Sequence, residues 1–129
     1  MSGVIAYNDA VREAFAHPRH AGDLDRDCGQ VLEAEAAESG QGAQIALAAG
    51  IDEGRISALR FRVSGCPHLI AALEVFCRRH EGGPAAGLEK PDFAGISEEL
   101  ELPVEKSGRI LLLEDAVARL WSQYTHAGQ

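Results

Sequence analysis

The chain has 129 residues and a formal net charge of −8 at pH 7, since 20 acidic residues outnumber 12 basic ones. This charge argues against a general nucleic-acid binder, and no apolar run approaches the roughly 18 residues of a membrane span. No signal peptide is visible, and three cysteines at irregular spacing do not make a disulfide framework. We therefore expect a single domain, residues 1–129, in the cytoplasm.

The first predicted element is a helix at residues 7–16, with Val11 and Phe15 on its apolar stripe. It ends before Pro18, because the residue before a proline avoids the helical region. His17 and His20 follow at a spacing that could bind a metal ion. Because a proline separates them and no helix aligns them, a solvated polar turn is the preferred interpretation.

Three strands are predicted next, at residues 31–38, 43–49 and 56–64, after an acidic loop that contains Cys28. The short turns between them favour an antiparallel meander. A sheet this small needs helices on one face to be stable. The predicted fold class is α+β: a three-stranded antiparallel sheet packed against an N-terminal helix, a middle helix and a long C-terminal helix.

The middle helix begins where the third strand ends. Up to Gly65 the apolar residues alternate, and after it they recur at three- and four-residue steps, which indicates a helix. Pro67 suits the first helical position, so Cys66 falls at or near the N-cap. The partial positive charge of a helix start favours a thiolate. Cys66 is therefore the main candidate for chemistry, and the alternative is a small residue that fits a tight turn.

The C-terminal part is predicted to be helical after a loop at residues 81–89. Residues 92–100 favour a short helix or turn, and Ser107 is a plausible N-cap for the last helix. The apolar stripe of that helix consists of Ile110, Leu113, Val117, Leu120, Trp121 and Tyr124.

Together these elements resemble the IscU/NifU N-terminal family of iron–sulfur cluster assembly scaffolds. Three blocks match in order and spacing: Tyr-Asn-Asp-Ala-Val and His-Pro-Arg-His-Ala-Gly within residues 7–22, Asp-Glu-Gly-Arg-Ile, Arg-Phe and Gly-Cys within 52–66, and Ile-Ser-Glu-Glu-Leu-Glu-Leu-Pro and Leu-Leu-Glu-Asp-Ala within 96–116. The resemblance implies a protein of iron–sulfur cluster assembly that is not an enzyme. It also implies cysteine desulfurase and an assembly chaperone as partners, and allows a homodimer.

The resemblance also implies where the cluster or iron would bind. Family members use three cysteines, and Cys66 matches the second of them. The segment 38–42, which contains Ser39, stands where the first is expected, and Gly108 and Arg109 stand where a histidine and the third cysteine are expected. The implied cofactor-binding residues are thus Cys66, Arg109 and Ser39, with Cys66 as the metal ligand. The family's chaperone-docking segment is reduced to Leu-Pro-Val-Glu-Lys at 102–106.

One thiolate cannot hold a two-iron cluster that needs four protein ligands. A homodimer could bring two Cys66 thiolates together, with the remaining ligands from glutathione or a partner. His68 could approach a metal at Cys66, although a surface-exposed histidine at a helix start is the preferred interpretation.

Three functional hypotheses follow. The first is cluster assembly with an incomplete ligand set centred on Cys66. The second is an adaptor that docks cysteine desulfurase or another assembly protein without binding a cluster. A thiol enzyme ranks last, because no histidine–carboxylate set is evident from the spacing.

Overall fold

A computed structural model describes residues 9–24, 29–37, 43–65, 67–102 and 107–127, without the side chains of 107–109 and 127. In chain order the elements are α1 (Asp9–Ala16), β1 (Gln30–Ala37), β2 (Gln44–Asp52), β3 (Arg55–Ser64), α2 (Pro67–His80), a 3₁₀ turn (Ala85–Leu88), α3 (Phe93–Leu100) and α4 (Ser107–Ala127).

The three strands form an antiparallel sheet in the order β1-β2-β3, as predicted. Leu47 of the central strand lies between Ala34 of β1 and Phe61 of β3. Side chains alternate between a buried and an exposed face along β1, which is the period of a strand with one covered face. The predicted α+β fold class is confirmed.

The free edge of β3 is covered by the segment that follows α1. Phe61 donates its backbone N–H to the carbonyl of His20 at 2.9 Å, and its own carbonyl accepts from Gly22 at 2.9 Å. Ala21 thereby forms a short parallel bridge with Phe61. This contact fixes the segment after α1 to the sheet. α1 itself packs against α2.

The helices enclose one core against the inner face of the sheet. α4 lies against β1 and β2, while α2 contacts β3, α1 and α3. The core contains the large side chains of Phe61 and Phe76, both at most 1% exposed, and Leu113 and Leu120 of α4. The predicted apolar stripe of α4 is therefore confirmed as core-facing, with Trp121 and Tyr124 partly buried at its edge.

The predicted boundaries differ from the observed ones in a few places. β2 continues to Asp52, past the predicted end at residue 49, and a register shift occurs between Gly50 and Ile51. The predicted loop at 81–89 contains the 3₁₀ turn. Asp92 caps α3 by accepting the Gly95 N–H at 2.8 Å. Residues 7 and 8 of the predicted first helix lie outside the described residues.

Among the described residues, no helix combines the length and the apolar composition that would let it cross a membrane.

Candidate functional site

The ends of all three strands meet at one end of the sheet. Ala37 pairs with Gln44, and Gln44 pairs with Ser64, so the end of β1, the start of β2 and the end of β3 are neighbours. Ser39 and Cys66 lie outside the described residues, as does Cys28. In the sequence, Ser39 is the second residue after the end of β1, and Cys66 is the second residue after the end of β3.

Gly65, the residue after β3, packs closely against Ala43, the residue before β2. A Cβ at Gly65 would lie 3.1 Å from the Cβ of Ala43 and 3.0 Å from Cδ2 of Leu69. The residue before Cys66 thus packs directly against the residue that precedes β2, and a larger side chain would push them apart. This close approach holds the end of β3 beside the residue that precedes β2.

The start of α4 lies at this same end. The later part of α4 lies beside the first half of β1, because Gln123 bonds to the backbone of Glu33. The earlier part of α4 lies beside the end of β1, because Asp115 and Arg119 line a cleft together with Glu35. α4 therefore runs antiparallel to β1. The backbone of Arg109 precedes Asp115 by six residues, or about 9 Å along the helix axis. Its side chain lies outside the description. The ends of β1 and β3 and the start of α4, which are next to the three predicted site positions in the sequence, therefore lie at one end of the fold.

A cleft of about 620 Å³ opens at this end. Two carboxylates and two guanidinium groups line it, together with Gln44, Ser64 and small apolar residues. We call it the mixed-charge cleft and define it by its charged residues Glu35, Arg62, Asp115 and Arg119. Asp115 and Arg119, which are four residues apart on α4, form an ion pair at 3.3 Å.

His68 does not lie on the surface, contrary to the prediction. It is 2% exposed, because it lies in the stretch of α2 from His68 to Cys77, in which every residue except Ile70 is buried. The prediction failed because it assumed that the first turn of α2 faces solvent. The start of α2 at Pro67 itself agrees with the predicted N1 proline.

His20 is also buried, and the predicted solvated turn is wrong for this residue. Its Nδ1 lies 2.7 Å from Oε2 of Glu74, and its Nε2 lies 2.9 Å from Oε1 of Glu81. Its backbone N–H donates to Oε1 of Glu74 at 2.9 Å. Tertiary contacts more than 50 residues away along the chain thus decide the environment of His20, whereas His17 is exposed.

Glu74 is the centre of this buried polar network and was not singled out from the sequence. It is 0% exposed and accepts a hydrogen bond from Nε of Arg78 at 2.7 Å. Glu81 accepts from Arg60 and from the Leu59 N–H, both at 2.8 Å. The sequence does contain a signal for this network. Glu74 is a lone acidic residue in the apolar run of a helix, and Arg78 follows it at a spacing of four residues.

Cys77 is 0% exposed on α2. Burial raises the pKa of its thiol well above the ordinary range, and the nearby carboxylates of Glu74 and Glu81 add to the effect. A neutral buried thiol is a poor metal ligand. In the described parts of the chain, no group of three or more His, Cys, Asp and Glu side chains is arranged to hold a metal ion.

Comparison with known proteins gives a consistent family assignment. The model of the NifU-like N terminal domain matches residues 6–128. The iron–sulfur cluster assembly scaffold protein IscU of Escherichia coli K12 is 28% identical over 121 residues, which cover 93% of this chain and 94% of that protein. IscU of Azotobacter vinelandii is 28% identical over 123 residues, covering 95% and 96% of the two chains.

A solved structure shares the fold. The N-terminal NifU-like protein of Brucella abortus superposes with a TM-score of 0.70 at 18% identity, covering 92% of this chain and 94% of that one. The resemblance inferred from the three sequence blocks is thereby confirmed over nearly the whole length. The chain belongs to the family of NifU-like N-terminal domains.

Proposed function

We propose that this protein takes part in iron–sulfur cluster assembly as a scaffold, with Cys66 as its protein ligand to iron. The observation that carries the proposal is the meeting of the β1 and β3 ends, the start of β2 and the start of α4 at one end of the fold. The relatives named as IscU scaffolds support it across nearly the full chain. The cluster is the cargo of this protein.

The ligand set of this chain is incomplete. Ser39 and Arg109 stand where the family resemblance expects cysteines, so Cys66 is the only matching thiol. Cys77 does not replace the missing ones, since it is buried and ten residues, or about 15 Å along the axis, from Pro67. The remaining ligands must therefore come from outside the chain. Arg109 carries a permanent positive charge that suits an anionic sulfur species at Cys66.

The proposal includes partners by family resemblance. Cysteine desulfurase supplies sulfur, an assembly chaperone binds near residues 102–106, and a homodimer joins two Cys66 thiolates. Residues 103–106 lie outside the described residues. In this scheme the protein is a single cytoplasmic domain that holds cargo and catalyses no reaction of its own.

Anaerobic reconstitution with ferrous iron and sulfide tests the proposal. We expect the wild-type chain to retain iron and acid-labile sulfide after desalting, and Cys66→Ala to lose at least four fifths of both. Cys28→Ala removes a thiol outside the three family positions and is the matched control, which we expect to retain iron. A wild-type protein that stays colourless and iron-free would contradict the scaffold role.

The adaptor role is the second candidate, and the loss of two of the three family cysteines favours it. An adaptor would dock cysteine desulfurase through the surface of the fold that it shares with the family and would not need Cys66. In a pull-down with purified desulfurase, equal capture by wild type and Cys66→Ala, without iron in either, would support this role. Failure to capture the desulfurase would oppose it.

A further inference from the structure

The mixed-charge cleft has the volume of a small-molecule site. Its volume of about 620 Å³ lies within the range of roughly 300–1,000 Å³ that is usual for ligand pockets. It lies where the three strand ends meet, rather than in the core, so a ligand can enter without unfolding an element. Neither the family assignment nor the proposed function gives this cleft an occupant.

The charges of the cleft are balanced, although the chain carries a net charge of −8. Glu35 and Asp115 provide two carboxylates, while Arg62 and Arg119 provide two guanidinium groups. Such a lining suits a ligand that itself carries both an ammonium group and carboxylates, because guanidinium groups bind carboxylates in a bidentate manner. A simple anion or a simple cation would meet one repulsive pair.

Strand register sets the spacing of the opposite charges. Glu35 of β1 pairs with Ala46 of β2, and Ala46 pairs with Arg62 of β3. The backbones of the acidic and the basic residue are therefore two strand spacings apart, or about 10 Å, with only a methyl group between them. A short peptide spans that distance with its charged ends.

The arginines are available to a ligand. The pair of Arg119 with Asp115 leaves both side chains more than half exposed, at 59% and 51%. Arg62 pairs with Asp23 outside the cleft, and these side chains are 67% and 72% exposed. Exposed ion pairs are weak and screened by salt, so a carboxylate ligand can replace the protein partner at little cost.

The cleft includes the end of β3, which comes shortly before the proposed iron ligand in the sequence. Ser64 lines the cleft, and Cys66 is the second residue after it in the chain. Under the proposed function, a ligand in the cleft that carries sulfur would supply it to the iron at Cys66. This chain keeps one of the three family cysteines, so an added sulfur ligand is what the site lacks.

We propose that the mixed-charge cleft binds an amphoteric low-molecular-weight thiol, of the class of cysteine or a cysteine-containing peptide. The carboxylate of cysteine, or the two carboxylates of a peptide, bind at Arg62 and Arg119, and the ammonium group binds at Glu35 and Asp115. Its thiol releases its proton to water and the resulting thiolate donates an electron pair to iron held by Cys66. The iron step rests on the proposed function, whereas binding in the cleft does not.

Calorimetric titration of the iron-free protein tests the binding step, with reduced glutathione, S-methylglutathione and L-cysteine as probes. We expect saturable one-to-one binding of at least one thiol, and equal affinity for glutathione and its S-methyl form if the peptide binds, because the charged groups make the contacts. Tighter binding of glutathione or of cysteine identifies the source of the thiol. No binding of any probe at 10 mM (roughly the weak limit of specific binding) would overturn the inference.

A double variant checks the location. Arg62→Gln with Arg119→Gln should weaken binding at least tenfold, while Arg12→Gln on the exposed face of α1 should leave it unchanged. Amide shifts of Glu35, Ala46 and Arg62 on titration of the wild type by NMR give a second measurement that needs no variant. Unchanged affinity in the double variant, or shifts confined to other regions, would contradict the cleft as the site.

Reconstitution then separates the two proposals. Glutathione should raise the iron retained by the wild type at least twofold over S-methylglutathione, and Cys66→Ala should bind glutathione without retaining iron. Glutathione binding by a wild type that holds no iron would contradict the scaffold function and leave cleft binding standing. Equal iron with both peptides would overturn the ligand role of the added thiol.

Discussion

Glu74 is a residue whose burial needs explanation. A fully buried carboxylate is costly unless it is paired and hydrogen-bonded, and Glu74 is 0% exposed in the interior of α2. Its two oxygens accept from the His20 backbone, the Arg78 guanidinium and, when Nδ1 carries a proton, the His20 ring. The segment after α1 is thus fastened to α2 by one side chain, and this segment in turn covers the edge of β3.

Replacing Glu74 with glutamine tests this role. We expect Glu74→Gln to lower the free energy of unfolding by about 3 kcal/mol, because a buried charge partner is removed while Arg78 remains. Urea unfolding followed by circular dichroism measures the change. Glu99→Gln, which removes an exposed partner of Arg79, is the control and should cost less than about 1 kcal/mol. Equal effects of the two variants would contradict the role of Glu74.

At the residue level, the sequence predicted where a helix starts better than it predicted which side chains are buried. Pro67 marked the start of α2 correctly, because its missing N–H and fixed backbone angle act locally. The burial of His20 and His68 could not be derived in the same way, since it depends on elements that are distant in sequence. The roles of Cys66, Ser39 and Arg109 stay predictions, as their side chains lie outside the described residues.

Among the elements, β1 is the edge strand that needs protection. The backbone of Glu33 faces away from β2, and the Gln123 amide of α4 bonds to both its groups: the Glu33 N–H donates to Oε1 at 3.1 Å, and Nε2 donates to the Glu33 carbonyl. One side chain of α4 therefore takes the place of a neighbouring strand. It also fixes the register of α4 along β1, and with it the position of the α4 start.

Truncation of this amide should loosen the edge. We expect Gln123→Ala to cost about 1 kcal/mol or less, since the freed groups can bond to water. The same change should speed amide hydrogen exchange at Glu33 by up to about fivefold, as measured by NMR. Ser122→Ala, one residue away on an exposed position, is the matched control. Unchanged exchange at Glu33 in Gln123→Ala would show that the amide does not protect the strand.

The elements themselves were largely predictable, because their signals are local. The alternation of Leu59, Phe61 and Val63 and the change of period after Gly65 fixed the end of β3 and the start of α2. The bridge between Ala21 and Phe61 was not predictable. It joins residues 40 positions apart and consists of backbone hydrogen bonds, which leave no pattern in the side chains.

For the whole molecule, two carboxylates make stability depend on pH. Hydrogen bonding to the Arg78 guanidinium lowers the pKa of Glu13, which joins α1 to α2. Burial alone would raise the pKa of Glu81, but hydrogen bonds from the Leu59 N–H and from His20 and Arg60 together lower it. A lowered pKa in the folded state means that the unfolded chain binds more protons, so acidification favours unfolding.

We expect the stabilisation from these groups to be complete above pH 4.5, their ordinary pKa, and to be lost as the pH falls through the lower folded-state values. Urea unfolding at a series of pH values between about 6 and 3 measures this loss. Glu81→Gln should flatten the acid side of the profile, whereas Glu89→Gln, at an exposed position, should not. An unchanged slope in Glu81→Gln would contradict the assignment.

The edge of β1 that faces away from β2 also carries charges that act against pairing with a second copy. The backbone groups that face away from β2 belong to the odd-numbered residues of β1. If the β1 strands of two copies paired in antiparallel orientation with Ala34 opposite Ala34, Glu33 of one copy would therefore stand opposite Glu35 of the other. Like charges directly opposite one another destabilise such pairing. At neutral pH this repulsion disfavours pairing of two β1 edges in that register, which is one way in which charged side chains protect an edge strand.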